Sequence, residues 1–419
     1  MRLSKLCCAV AALLLAGCST PLPVQAQGEN GVSTPAPRGL ASQPSQPFAS
    51  WLEGLKADAA RRGVSAGVFD KALGRAQPIE RIVELDRKQP EFTQTFWGYM
   101  DKRITGERIE KGRRLLDQHK GLLDRVAKEY GVQPRFLVAF WGLETNFGET
   151  LGGFSTAEAL ATLAWDPRRS AFFREQLLTL LVLMQKGDVP TDARGSWAGA
   201  MGHFQFMPAT YRDFAVDFDG DRRRDLWKSF ADAAASAANY LSRSGWRGDQ
   251  TWGREVLLPA GFDWELADGT TRRGLAEWRN LGLRAADGSE LPARDIDAAL
   301  VLPTGHKGPA FLAYGNFNAI MTWNRSVLYA VSVGHLADRM AGGAPLKASR
   351  AVADVPLSRQ DVLELQQRLI GLGMDIGGEP DGVVGVKTRQ ALKTWQKRNG
   401  LPPDGYPDGA LLERLRRGG

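Results

Sequence analysis

Apolar side chains recur at intervals of three and four along much of this chain: Trp51, Leu52 and Leu55; Leu122, Leu123, Val126 and Tyr130; Leu177, Leu178, Leu181 and Val182. Such spacing puts each group on one face of a helix. It predicts a mainly helical region from Phe48 to about Trp246, cut into separate helices by Gly131, Pro134, Pro167 and Pro190. The pattern changes between Trp252 and about Leu302. There Val256-Leu257-Leu258, Leu281-Gly282-Leu283 and Ala299-Leu300-Val301-Leu302 alternate with the turn pairs Asp268-Gly269 and Asp287-Gly288, which predicts strands and hairpins. Helix returns near Phe317. A compact unit follows, with one helix through Val362, Leu365, Leu369 and Leu372, a second through Thr388, Ala391, Leu392 and Trp395, and a third through Leu411, Leu412 and Leu415. Two similar tight turns, Pro380-Asp381-Gly382 and Pro403-Asp404-Gly405, lie between its helices. The fold class is therefore mainly α (α+β): a helical region carrying a small β-rich insertion at about 252–302, followed by three helices.

Two stretches lack either period. Residues 19–47 hold Pro21, Pro23, Pro35, Pro37, Pro44 and Pro47 among Ser, Gln and Gly, the composition of a tether. As a flexible coil it would span roughly 30 Å, and about 90 Å as extended polyproline. Residues 341–356, from Ala341-Gly342-Gly343-Ala344-Pro345 to Pro356, form a second join, so the expected units are 48–340 and 357–416. Ahead of the tether, Arg2 and Lys5 precede an apolar stretch from Leu6 to Ala16 that is too short to span a bilayer. The stretch ends in Leu15-Ala16-Gly17-Cys18, which resembles the lipobox of bacterial lipoproteins. That resemblance implies a signal peptide over 1–17, an acylated Cys18 as the lipid anchor, and, with Ser19 next, an address at the periplasmic face of the outer membrane of a Gram-negative bacterium. An ordinary signal peptide cleaved elsewhere is the alternative. All three cysteines, Cys7, Cys8 and Cys18, lie in this leader, so a mature chain beginning at Cys18 has no disulfide or thiolate metal site.

Composition adds little: 43% hydrophobic and 24% charged residues are ordinary for a globular protein. The net charge of +7 falls by two when Arg2 and Lys5 leave, since residues 1–17 contain no acid. The remaining excess suits an anionic polymer and equally suits solubility. There is no compact Lys/Arg run and no nucleic-acid motif, so nucleic acid is not an expected partner. His119, His306 and His335 are scattered without metal-ligand spacing, which argues against a zinc hydrolase.

Glu144 carries the candidate chemistry. It ends an apolar run in Phe140-Trp141-Gly142-Leu143-Glu144-Thr145-Asn146-Phe147-Gly148. Desolvation penalises a charged carboxyl, so an acid in such surroundings holds its proton toward neutral pH and can donate it to a leaving oxygen. A second segment, Gly195-Ser196-Trp197-Ala198-Gly199-Ala200-Met201-Gly202-His203-Phe204-Gln205-Phe206-Met207-Pro208, has no carboxylate and a few isolated polar side chains, as a saccharide-lining loop would. Glycoside cleavage ordinarily uses two carboxyl groups. No convincing second one is visible: Glu149 reads as a solvated acid, and Asp166, before Pro167, as a turn or cap residue.

Together these segments resemble the membrane-bound lytic murein transglycosylase B family, which cleaves the glycan strands of bacterial peptidoglycan. The resemblance continues through Ala159-Leu160-Ala161-Thr162-Leu163-Ala164-Trp165 with Arg168-Arg169, Ala215-Val216-Asp217-Phe218-Asp219-Gly220-Asp221, Leu226-Trp227, Ala238-Asn239-Tyr240-Leu241, Gly315-Asn316-Phe317 and Trp323-Asn324-Arg325-Ser326. It covers roughly residues 48–340. Leu365-Gln366, Asp381-Gly382, Thr388, Trp395-Gln396 and Gly400-Leu401 likewise resemble the three-helix peptidoglycan-binding domain. The resemblance implies a lysozyme-like catalytic region and a lytic transglycosylase. In that chemistry Glu144 first protonates the glycosidic oxygen and then, as a carboxylate, takes the proton of the muramoyl C6 hydroxyl, which closes a 1,6-anhydro ring without water. A water-using muramidase and a catalytically silent wall-binding scaffold are the rival readings.

By the same resemblance Ser196, Gln205 and Asn324 contact the sugar chain, with Tyr240 and Tyr329 at aromatic positions of the cleft. Ser196 could instead cap a helix, and Tyr240 could be core. Trp323 stands where the family can carry Tyr, so a hydroxyl contact made there would be lost. His203 reads as cleft lining. No cofactor is required for the chemistry, but a structural calcium is implied at Asp217, Asp219 and Asp221, with the Arg223 carbonyl next and Asp232 as the closing acid. Lys228 occupies the twelfth loop position, where an EF-hand has Glu. Pairing of the aspartates with Arg222, Arg223 and Arg224 is the metal-free alternative. The expected partners are peptidoglycan strands, the membrane through Cys18, and cell-wall synthesis or division complexes.

Overall fold

The computed structural model describes residues 46–88, 95–350 and 357–418. The leader, Cys18 and the tether lie outside the described residues. Helices dominate, as the apolar spacing predicts. The first seven are α1 (Phe48–Arg61), α2 (Ala66–Leu73), α3 (Glu80–Lys88), α4 (Phe96–Arg103), α5 (Gly106–Gln118), α6 (Lys120–Tyr130) and α7 (Pro134–Thr145). Then come β1 (Phe154–Ser155), α8 (Thr156–Trp165), α9 (Ser170–Gln185), β2 (Arg194–Gly195), α10 (Pro208–Phe214) and α11 (Phe230–Arg243). Starts are set by short polar caps: Ser65, Thr95, Thr105, Ser155 and Ser229 each accept an amide N–H from the first turn of α2, α4, α5, α8 and α11. In α7 every residue from Phe136 to Leu143 is buried. This helix runs through the middle of the core, which explains why its sequence is apolar all round rather than amphipathic.

The predicted β-rich insertion is present and reaches further than Leu302. Strands β3 (Gly253–Leu257), β4 (Arg272–Gly274), β5 (Arg284–Ala285), β6 (Asp297–Val301) and β7 (Ala310–Ala313) form one antiparallel sheet in the order β4-β6-β7-β3-β5, with helix α12 (Leu275–Asn280) beside it. β7 escaped the sequence pattern because it is the central strand. Ala310 and Leu312 feed the insertion's own core with Val256, Trp278 and Leu300, whereas Phe311 and Ala313 face the helical core. A strand buried on both faces reads as an unbroken apolar run with no alternation. Helices α13 (Gly315–Trp323) and α14 (Val327–Met340) then return to the helical core.

The final unit packs α15 (Arg359–Gly371), α16 (Val386–Arg398) and α17 (Gly409–Arg416) around Leu365, Leu369, Leu392, Trp395, Leu412 and Leu415. Its two Asp-Gly turns are fastened alike. Gln366, 2% exposed, accepts N–H groups from Asp381 (3.0 Å) and Gly382 (2.8 Å). Gln396, 3% exposed, accepts from Gly405 (2.8 Å) and donates to Asp404 (2.7 Å). This unit docks on the insertion. Asp404 accepts the His306 backbone N–H at 2.8 Å and lies 2.6 Å from its Nδ1, while Lys393 donates to the Ala267 carbonyl at 3.2 Å. Lys307 pairs with Asp408 at 3.2 Å and Lys397 with Glu265.

Candidate active site

Glu144 occupies the last turn of α7, and the chain around it is built to end the helix sharply. Asn146, Phe147 and Gly148 all take positive φ (51°, 62° and 85°), so the backbone reverses and the Phe147 N–H reaches the Trp141 carbonyl at 3.1 Å. Phe147 folds back onto Gly142. A Cβ there would sit 2.7 Å from its ring, so a glycine inside this helix is what admits the reversal. Thr145 Oγ1 donates to the His203 carbonyl at 2.8 Å, and the Trp141 indole donates to His203 Nδ1 at 3.0 Å. These two bonds fasten the Ser196–Pro208 loop to the end of α7. His203 is thus half-buried cement between helix and loop, with burial holding its pKa below the usual value.

The Glu144 side chain is partly covered, and its carboxyl lies deep. Burial raises its pKa above the usual carboxylate value; bonds from Tyr329 and Trp323, and the Arg103 charge, pull the other way without reversing it. Oε1 accepts the Trp323 indole N–H at 3.0 Å and the Tyr329 hydroxyl. Tyr329 is 4% exposed, so its ring offers no face to a sugar; it serves this site through its hydroxyl, whose own pKa is driven far up by burial and by the adjacent Glu144. Trp323, which has no hydroxyl, meets Glu144 through its indole nitrogen. Neither Glu149 nor Asp166 joins the acid: Glu149 pairs with Lys111, and Asp166 with Arg87 at 3.2 Å.

Trp323 ends α13 and is hemmed by rings, with Phe140 at 4.6 Å, Phe206 at 5.4 Å and Tyr240 stacked at 5.1 Å. Tyr240 is half-buried between Trp323 and Phe214, and its hydroxyl donates to the Thr322 carbonyl at 3.3 Å. It therefore forms part of the wall. Gln205 sits between Phe204 and Phe206 in a left-handed conformation (φ 51°) and spends its amide N–H groups on the Gly202 (3.0 Å) and Leu151 (3.3 Å) carbonyls. Its side-chain carbonyl remains for a ligand. Asn324, exposed beside Trp323, accepts the Ser326 N–H at 3.0 Å, which leaves its amide N–H groups as donors. Ser196 does not cap a helix. Its hydroxyl oxygen accepts the Ala198 (3.3 Å) and Ala200 (3.0 Å) N–H groups and so shapes the loop turn.

The acidic loop lies apart from this carboxyl. Asp217, Asp219, Asp221 and Asp232 each bring a carboxylate oxygen within 4.8 Å of the others. Asp232, fully buried in the first turn of α11, accepts the N–H groups of Phe218 (2.8 Å), Asp219 (3.3 Å) and Asp225 (2.9 Å). The metal-free pairing is not what forms. Arg224 turns to Asp188 at 2.5 Å, and no described ion pair joins Arg222 or Arg223 to the cluster.

Residues 47–338 match the transglycosylase SLT domain family, and residues 358–415 a peptidoglycan-binding domain family. The chain belongs to the SLT transglycosylases. This transglycosylase is 31% identical to membrane-bound lytic murein transglycosylase B of Escherichia coli over 297 residues, 67% of this chain and 80% of that protein. Its fold is similar to SltB3 from Pseudomonas aeruginosa in complex with NAG-anhNAM-pentapeptide (45% identity, TM-score 0.86), covering 88% of this chain and 100% of that one. It is also similar to the E. coli lytic transglycosylase Slt35 in complex with calcium (28% identity, TM-score 0.59; 71% and 93% of the chains). The sequence pattern singled out Glu144 but not the hydrogen-bond donors that hold its carboxyl. Trp323 and Tyr329 lie 179 and 185 residues further on, and no local signal marks either as a partner of Glu144.

Proposed function

We propose that this transglycosylase cleaves the β-1,4 bond between N-acetylmuramic acid and N-acetylglucosamine in peptidoglycan and leaves 1,6-anhydromuramic ends, with Glu144 as acid and then base. The observation that carries this is a carboxyl whose pKa burial raises, held by Trp323 and Tyr329, while Glu149 and Asp166 are paired elsewhere. Glu144 gives its proton to the bridging oxygen as the C1–O bond breaks. The C6 hydroxyl of the same ring then bonds to C1 and returns a proton to the carboxylate, so atoms and charge balance without water. Holding that hydroxyl near C1 replaces a bimolecular encounter. The Gln205 carbonyl and Asn324 amide suit hydroxyl and acetamido groups of the strand. That P. aeruginosa SltB3 was solved with an anhydro-muramoyl ligand supports the same product here. Mass spectrometry of muropeptides released from purified murein decides it. Products lighter by one water than the hydrolytic fragments are expected, and free reducing ends throughout would mean a muramidase.

The acidic loop fits a structural calcium. Four carboxylates crowd together with no cationic side chain among the described residues paired to Asp217, Asp219 or Asp221, and hard oxygen donors suit this ion. Asp217, Asp219, Asp221, the Arg223 carbonyl and Asp232 would hold it. Bound calcium would cross-link the loop to α11 and take no part in sugar chemistry. Calcium in the Slt35 structure supports this assignment. Cys18 is the lipid anchor in this proposal, and the membrane-bound E. coli relative supports an outer-membrane, periplasmic address. Mass spectrometry of the purified protein tests it: Cys18→Ala should accumulate as an unlipidated precursor that keeps residues 1–17, and normal cleavage before position 18 would refute the anchor.

A further inference from the structure

Trp323 is usually the kind of residue assigned to a sugar platform, yet its surroundings give it another task. Its ring is fixed by Phe140 (4.6 Å), Tyr240 (5.1 Å, interplanar 29°), Phe206 (5.4 Å) and Phe204 (6.4 Å). The indole cannot swing without displacing residues of α7, α11 and the loop between β2 and α10. From this fixed position its N–H points at Glu144 Oε1, 3.0 Å away.

The second donor to that atom is the Tyr329 hydroxyl. An indole nitrogen can only donate. The Tyr329 hydroxyl could in principle accept, but it is 4% exposed and Oε1 is its acceptor among the described residues; turning it round would strand a buried O–H. Both lone-pair positions of Oε1 are therefore taken. No described group hydrogen-bonds Oε2.

We propose that Trp323 is the positioning residue of the acid: with Tyr329 it occupies Oε1 and so makes Oε2 the oxygen that delivers the proton and later receives one. The inference rests on Glu144 as the acid. The fixed donor also limits carboxylate rotation, so the same oxygen serves both halves of the cycle. After the first transfer the new negative charge is stabilised at Oε1, while Oε2 stays free to act as base.

The decisive variant replaces Trp323 with β-(3-benzothienyl)alanine, which keeps the bicyclic shape and lacks the N–H. On soluble murein strands kcat should fall about ten- to a hundredfold, the usual scale for one hydrogen bond to a charged group, with KM changed less than about twofold. The alkaline limb of the kcat profile should move to higher pH, because a donor to the ionised form has been removed. Trp323→Tyr, which restores a donor, should recover much of kcat and return the limb toward its original place. Wild-type kcat and an unmoved limb in the benzothienyl variant overturn the proposal, as does a loss confined to KM, which would make Trp323 a sugar platform. Glu144→Gln separates the two claims. If it still turns over, the acid assignment fails; if it is dead while the isostere is unchanged, only the role of Trp323 fails.

Discussion

A single methyl group at Gly305 should weaken the docking of the wall-binding unit on the insertion. Gly305 opens the helical turn Gly305–Lys307 with φ 71°, and a Cβ there would lie 2.6 Å from Asp404 Oδ2 and 2.7 Å from the Tyr406 Cβ. Two costs follow from Gly305→Ala. The left-handed backbone conformation costs about 1–2 kcal/mol for a residue with a Cβ, and that cost stays within the catalytic region whether or not the units touch. The wedge costs about 1–3 kcal/mol while they are docked, the usual range for one methylene too many in a packed contact. Undocking relieves it. Against it stand the two contacts from His306 to the buried Asp404 carboxylate, each of a kind that contributes about 1.5–3 kcal/mol. A wedge near 2 kcal/mol lowers the docked-to-undocked ratio by about thirtyfold. Proteolysis across 341–356, which follows the undocked population when opening is fast, should accelerate by up to about thirtyfold. Melting temperature alone would not suffice, because backbone strain moves it too. A proteolysis rate identical to wild type would refute the docking argument.

Two further outcomes are expected. Glu144→Gln should be more stable than the wild type near neutral pH. Burial raises the folded carboxyl's pKa, so the wild type loses stability as pH rises through the unfolded value, about 4.3; denaturant midpoints should converge below that pH, and a gap that persists there would contradict the assignment. Calcium should raise the melting temperature of the wild type, by about 2–4 °C per kcal/mol of binding stabilisation in a domain of this size, and should do so much less for Asp217→Ala; equal melting in calcium and in chelator would remove the ion.

Local pattern revealed what local pattern encodes. The three-and-four spacing located the helices, the apolar frame of Glu144 singled out a carboxyl whose pKa burial raises, and two Asp-Gly pairs located the turns that Gln366 and Gln396 secure. What stayed hidden depends on neighbours distant in sequence. β7 shows no alternation because two separate cores meet across it. Tyr329 shares the aromatic character of a sugar platform, and only its 4% exposure shows that the ring is closed to a sugar while the hydroxyl meets Glu144. Trp323 looked like the loss of a hydroxyl. Whether an indole nitrogen can replace it is a question of direction, fixed by Phe140 and Tyr240 and absent from the residue's identity. Docking of the last unit through His306 and Asp404 joins positions 98 residues apart and has no periodic signature.

The position of Glu144 as the penultimate residue of α7 has an electrostatic consequence of its own. The aligned peptide dipoles of a helix leave about half a negative charge at its C-terminal end. A carboxylate formed there faces the unfavourable pole, which favours the neutral acid in the same direction as desolvation. Mobile ions screen exposed charges over roughly 10 Å at moderate salt and reach a buried helix end far less. Added salt can therefore weaken the capture of an anionic strand at the surface while leaving the protonation of the acid nearly unchanged. Binding and chemistry in this enzyme should answer differently to ionic strength if Glu144 is the acid, because the helix that organises the core also supplies the field at its Glu144 end.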